Sequence, residues 1–337
     1  MLKLKNHKKL LIWSIILFTV FAMIAFTLFS PVPISFLLRL AFSNGMAVAP
    51  DDYDDMEQSV LVTKDLEYPS KWKSNLADIY IPKEENGPFP VVLWIHGGAF
   101  VGGDKSDIEV YATALASKGI ATVCINYLRA PEAKYPTPVH QTAEAYQWLC
   151  SSADEYKLDM NRLIIAGDSA GAHIASQFAA IQSNEAYADE MAMDQIVPLE
   201  SFRALLLFCG PFDVSQFSQI DNSVMRFVMG QAAWAYFGRR DWAEYYAEQA
   251  TISNHITATF PPTFISDGNT GSFEDHGRGL YDALRLKNVS VETYFIPLDT
   301  EITKHEYQFI MNTPSGQESF LKTVDFIKRH VYSKVSE

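Results

Sequence analysis

Leu163-Ile164-Ile165-Ala166-Gly167-Asp168-Ser169-Ala170-Gly171-Ala172-His173 is an apolar run that stops at a glycine, turns at one serine and resumes among small, helix-compatible residues. It reads as a strand, a sharp turn and a helix, with the Ser169 hydroxyl held above the sheet end where a base can reach it. Glycines at 167 and 171 remove the Cβ atoms that would collide where strand and helix come close. The following helix directs its positive dipole end toward the place where an oxyanion would form. Ser169 is therefore the candidate nucleophile.

Upstream, an apolar strand ends in His96-Gly97-Gly98-Ala99-Phe100. Acyl transfer needs N–H donors aimed at the developing oxyanion, and a glycine pair lets the backbone approach closely enough to supply them. The expected donors are Gly97, Gly98 and the N–H of Ala170, the residue after the nucleophile. His96, fixed before the glycine turn, is expected to hold the loop. The base should follow the last strand, and His305 meets that condition in a polar loop before the terminal helix. His173 lies one turn beyond Ser169 and is expected to pack. His140 precedes Ser169, and His255 and His276 precede the last strand.

Around these segments strands alternate with helical runs. Leu76–Ile81 alternates at period two, and Val91–Ile95 is a fully apolar strand of buried type. Strands are also expected at 121–126, 162–167, 204–208, 263–266 and 291–296, and helices at 107–118, 138–152, 169–182, 275–287 and 316–331. Short strands punctuated by helices predict an α/β fold with a mostly parallel sheet covered on both faces. The interval 210–262 breaks the rhythm and is rich in Met225, Phe227, Met229, Trp234, Tyr236, Phe237, Trp242, Tyr245 and Tyr246. It reads as a helical cap insertion facing substrate, the alternative being ordinary core.

The HGGAF loop, the GDSAG elbow, Tyr127-Leu128-Arg129-Ala130-Pro131-Glu132 with Tyr135-Pro136, and the late histidine together resemble the hormone-sensitive-lipase-like esterases of the α/β-hydrolase superfamily. The resemblance covers roughly residues 75–330. It implies the α/β-hydrolase fold, a Ser-His-acid triad of which Ser169 and His305 are members, carboxylic-ester substrates and no cofactor or metal. One position departs from that pattern. Family members carry a Gly-x-x-Asp-Pro-Leu-like turn after the penultimate strand, and here it reads Gly268-Asn269-Thr270-Gly271-Ser272-Phe273, with Gly271 where the aspartate is expected. Asp267 at the strand end ranks first as a substitute, because a carboxylate that breaks an apolar strand at its carboxyl end is harder to explain structurally than one that starts a helix. Glu274 and Asp275 are alternatives at the start of a helix, where a carboxylate also suits the dipole. Glu306, adjacent to His305, is a fourth.

Residues 1–9 carry Lys3, Lys5, Lys8 and Lys9, and Leu10 through Phe29 then run without a charge. A helix of that run is about 30 Å long, the hydrocarbon thickness of a bilayer. A cleaved signal peptide would have an apolar region of only about 7–15 residues ending in small side chains. Residues 1–30 therefore read as a retained single-pass anchor in the cell membrane, with lysines in the cytoplasm and the body of the protein on the extracytoplasmic side. Residues 31–57 read as an amphipathic and acidic linker. Its 34–42 segment is expected to lie along the membrane surface, the alternative being packing on the domain, and its acidic cluster at 51–57 to be solvated. The catalytic domain is expected at 58–335.

A net charge of -13 excludes nucleic acid as a partner, since a polyanion would be repelled. Cys124, Cys150 and Cys209 lack metal-ligand or disulfide-framework spacing. Taken together, the residues predict a membrane-anchored serine ester hydrolase for short acyl or acetyl esters. A serine peptidase would use the same chemistry. The other rival is a silent hydrolase-fold binding module, motivated by Gly271.

Overall fold

The computed structural model describes residues 2–43, 45–83 and 87–332; residue 1 of the expected anchor and 333–335 of the expected domain lie outside them. The N-terminal part comprises α1 (Leu2–Phe29), α2 (Val32–Ala41), α3 (Tyr53–Gln58), β1 (Val60–Glu67), β2 (Leu76–Pro82) and β3 (Phe89–Ile95). There follow α4 (Glu109–Ala116), β4 (Ala121–Ile125), α5 (Thr137–Ser152), β5 (Leu158–Asp168), α6 (Ala170–Ser183), α7 (Glu185–Met191) and β6 (Phe202–Phe208). The chain continues through α8 (Ser223–Phe237), α9 (Trp242–Ala250), β7 (Thr263–Asp267), α10 (Glu274–Leu286), β8 (Val291–Phe295) and α11 (Pro314–Tyr332).

Among the described residues the strands form one eight-stranded sheet in the order β1-β2-β4-β3-β5-β6-β7-β8. The first two pairings are antiparallel and the other five parallel. Because both faces are covered, the central strands must be apolar at every position, and successive side chains serve opposite cores. Val91, Leu93 and Ile95 of β3 point into the layer of α5, α6 and α10, whereas Val92 and Trp94 point into that of α4 and α11. The same alternation places Leu163 and Ile165 on one side of β5 and Ile164 and Ala166 on the other.

Two N-terminal segments join the domain. α2 packs on it against α8, the alternative that its sequence left open. The physical cause is Arg39, whose Nε donates to the Val101 carbonyl at 2.6 Å and whose Nη2 donates to the Ala130 carbonyl at 2.7 Å. Both guanidinium ends also grip Glu132, a fork geometry that fixes the helix on the loop after β3. The acidic side chains of 51–57 are exposed, as expected, while α3 grows out of the same segment and buries Met56 in the core. Ordered packing against the sheet thus begins before residue 58.

The 210–262 interval holds α8, α9 and short 3-10 turns. Asn222 caps α8 by accepting from the Val224 and Met225 N–H groups, and Gly238 ends it in a left-handed conformation. Its aromatic residues divide between the two readings. Phe237 stacks between Trp242 and Tyr246, with ring centroids at 5.2 and 5.3 Å, as core. Met225 and Met229 instead line the cavity above the sheet.

Candidate active site

Parallel strands deliver their carboxyl ends to one edge, and the loops leaving β3, β5, β7 and β8 converge there. Ser169 has φ 49° and ψ -120°, a conformation costly for a residue with a Cβ. The turn is held because the Ser169 N–H donates to the Phe208 carbonyl at 2.7 Å and α6 begins at the next residue. Close approach enforces Gly171: a Cβ there would overlap the carbonyl oxygens of Ile95 and His96.

His305 reaches the serine from the loop after β8. Its Nε2 lies 3.0 Å from Ser169 Oγ, across 136 residues of sequence. The imidazole packs edge-on against Phe273, with centroids 5.6 Å apart, and desolvation lowers its pKa to about 4. The ring is consequently neutral at neutral pH, the form able to accept a proton.

The other nitrogen reveals a residue that the sequence analysis missed. His305 Nδ1 lies 2.7 Å from Ser272 Oγ, and the Ser272 hydroxyl donates to Asp267 Oδ1. Asp267 is thus linked to the imidazole through a serine rather than directly. Burial raises its carboxyl to about 7, opposed by the Ser272 hydrogen bond. The signal for Ser272 was present as a hydroxyl next to the missing aspartate, but nothing in the spacing says that it bridges. The rival carboxylates are engaged elsewhere or face solvent. Glu274 accepts from Arg278 at 2.8 Å and Asp275 is exposed. Glu306 Oε1 lies 3.6 Å from Nε2, the wrong ring edge for an orienting acid, and its carboxyl pairs with that of Asp168.

Asp168 is a second residue that sequence reasoning did not assign. Its buried carboxylate accepts from Trp94 Nε1 and from the Gly97 N–H, each at 2.8 Å, tying the elbow to the glycine loop. Desolvation raises its pKa to about 6. This contact corrects one expectation: Gly97 reaches the site, but its N–H is taken by Asp168 and is not free for an oxyanion. Gly98, with φ 107°, and Ala170 have N–H groups with no acceptor among the described residues. His96 holds the loop as expected, its buried ring stacked on Tyr127 at 4.4 Å. His173 packs as well, its Nε2 lying 2.8 Å from the Ala250 carbonyl.

Asn269 fastens the acid loop to the histidine loop. Its amide donates to the carbonyls of Ile296 at 2.9 Å and Glu301 at 2.7 Å, and its oxygen accepts from the Thr303 N–H at 3.0 Å. Cys209 Sγ, an Asp267 carboxylate oxygen and a His305 nitrogen lie within 4.8 Å of one another, a cluster of metal-ligand type. Both imidazole nitrogens are already engaged by Ser169 and Ser272, and burial keeps the Cys209 thiol protonated.

A cavity of about 580 Å³ opens beside Ser169, and Phe42 and Met46 from the N-terminal segment, Met229 from α8, and Phe273 and Phe309 make its walls mostly apolar. A desolvated alcohol hydrogen-bonded to a neutral imidazole, next to free N–H donors, can perform nucleophilic acyl transfer.

Fold and site together define an α/β-hydrolase. Among solved structures, esterase B from Lactobacillus rhamnosis (HN001) superimposes with a TM-score of 0.73 at 20% identity, covering 92% of this chain and 95% of that one. A sequence model of the BD-FAE family matches residues 77–274, and the chain belongs to that family. A probable isoprenylcysteine alpha-carbonyl methylesterase from Oryza sativa subsp. japonica is 34% identical over 102 residues, 30% of this chain and 25% of that protein. The chain thus spans about a quarter of that relative's length. An acetyl esterase from Salmonella schwarzengrund (strain CVM19633) is 24% identical over 252 residues, 70% of this chain and 72% of its own.

Proposed function

We propose that this chain is a membrane-anchored serine hydrolase that cleaves carboxylic esters of short acyl or acetyl groups through an acyl-enzyme. The observation that carries the proposal is the 3.0 Å separation of His305 Nε2 from Ser169 Oγ in a site where the imidazole is neutral. Ser169 Oγ attacks the acyl carbon as its proton passes to Nε2. The tetrahedral oxyanion takes hydrogen bonds from the N–H groups of Gly98 and Ala170 at the start of α6. Collapse expels the alcohol, which leaves with the proton from Nε2, and water repeats the sequence to release the acid. Asp267, acting through Ser272, orients the ring and stabilises the imidazolium. The relatives named as a methylesterase and an acetyl esterase support a small acyl or alkoxy group.

Membrane attachment rests on Leu11–Phe29, a helix long and apolar enough to cross a bilayer and unburied by the rest of the chain. The basic residues before it favour a cytoplasmic N-terminus and an extracytoplasmic catalytic body. Ser169→Ala is expected to abolish both p-nitrophenyl acetate hydrolysis and labelling by a fluorophosphonate probe while leaving circular dichroism unchanged. Undiminished turnover in that variant refutes the assignment.

A further inference from the structure

Ser30 and Pro31 alone separate the end of α1 from the start of α2. Whatever depth Phe29 occupies, α2 therefore begins within about 10 Å of it, because two linking residues span no more than that. The same α2 leads into the cavity that contains Ser169, whose wall includes Ala41, Phe42 and Met46. Span, α2 and active-site mouth are consecutive in sequence and adjacent in space.

The outer surface of this assembly is apolar. On α2, Phe36 and Leu37 are 59% and 58% exposed, and on the facing end of α8, Val224 is 70% exposed. Side chains of this size left open around a pocket mouth form an interaction surface. What covers that surface is indicated by α1. Phe227 of α8 shares a cleft with Val20, Met23 and Leu28 of the span. Val20 lies nine residues inside the span from Phe29, about 13 Å along a helix axis. Leu28 lies only one residue from that end, so the cleft covers the outer half of the span, and Phe227 within it meets the outer hydrocarbon whenever the span is in a bilayer.

We infer that the rim formed by α2 and the start of α8 is immersed in the bilayer surface, and that the substrate is an amphiphilic ester that enters the site from the membrane with its hydrocarbon part still among the lipids. The inference rests on the anchored-esterase reading and adds to it the substrate's class and route. It is compatible with a short acyl group, provided that the alcohol bearing it is lipid-like.

The test uses the full chain reconstituted in phosphatidylcholine vesicles and a triple variant, Phe36→Gln, Leu37→Gln and Val224→Gln. None of these residues lines the cavity, and glutamine keeps helix propensity. Two substrates are compared: water-soluble p-nitrophenyl acetate, and cholesteryl acetate dissolved in the vesicles. The variant should retain acetate turnover from water within about twofold, as expected of exposed substitutions. It should lose about tenfold or more on the vesicle-borne ester, because the rim no longer seats in the interface. Equal rates for variant and parent on the vesicle ester overturn the inference, as does a proportional loss on both substrates. Two controls separate it from its foundation. Release of the parent by alkaline carbonate refutes anchoring, and unchanged p-nitrophenyl acetate turnover in Ser169→Ala refutes the esterase reading; either result also overturns the inference.

Discussion

Replacing Ser272 with alanine tests the part of the site that departs most from a directly bonded triad. The substitution removes the one hydrogen-bond partner that His305 Nδ1 has among the described residues, Ser272 Oγ at 2.7 Å. Asp267 does not fill the gap by itself. Its carboxylate bonds Ser272 and not the imidazole, and closing the gap that the hydroxyl leaves requires movement of buried groups. A hydrogen bond to a group that becomes charged in the transition state is worth about 1.5–3 kcal/mol, or roughly 10- to 150-fold in rate. Complete loss of the correct tautomer would cost about 10⁴-fold. We expect a fall of about 10²-fold in kcat on p-nitrophenyl acetate, with KM within about twofold because Ser272 is not a binding group. Ser272→Thr, which keeps the hydroxyl, should recover most of the loss. Retention of more than about a third of parental kcat by a folded Ser272→Ala refutes the relay, since that is under 1 kcal/mol. Failure of Ser272→Thr to exceed Ser272→Ala, with both folded, refutes the hydroxyl's role.

Asp267 gives a pH prediction. With its carboxyl raised to about 7 and His305 lowered to about 4, parental kcat/KM should fall as pH drops through about 7, where the carboxylate is neutralised. Asp267→Asn should be slower throughout and flat down to about pH 5, leaving only the His305 limb in a pH-rate profile. Asp267→Asn should also be more heat-stable at pH 8. A folded-state pKa above the unfolded value of about 3.9 means that the native state binds the extra proton between about pH 4 and 7, so stability is lost as pH rises across that window, by on the order of a few kcal/mol. The Tm advantage should vanish near pH 4.5, as calorimetry can check. Gly171→Ala drives a Cβ into the Ile95 and His96 carbonyl oxygens, backbone atoms that have no alternative rotamer. It should cost at least about 3 kcal/mol and leave little folded protein by circular dichroism. Arg39→Ala removes the clamp on Val101, Ala130 and Glu132 and leaves buried carbonyls unpaired. About 1.5–3 kcal/mol of local stability should go with it, read as faster protease cleavage between α2 and α3.

The alternation of buried strands and helices was legible in the chain because its physical cause is local. A strand covered on both faces has to be apolar throughout, as Val91–Ile95 is, and a helix start after a strained serine has to be small, as Ala170-Gly171-Ala172 is. Edge strand β1 was not legible: only Val60 of its eight residues is buried, so no alternation marks it. The packing of α2 on the domain was not legible because its apolar residues suit a membrane surface and a protein surface equally. The contact that fixes it, Arg39 to Val101, crosses 62 residues.

Sequence by itself picked out the groups proposed to carry the chemistry, since a Gly-flanked serine, a glycine-pair loop and a histidine after the last strand each carry a local signature. Tertiary structure decided the wiring. Gly97 gave up its N–H to Asp168, Glu306 turned to the far edge of the imidazole, and Ser272 came between Asp267 and His305. These are hydrogen bonds between groups distant in sequence or turned by loop geometry, and their partners are fixed only when the sheet brings its strand ends together. A residue's type states what it can donate or accept; the fold alone chooses to whom.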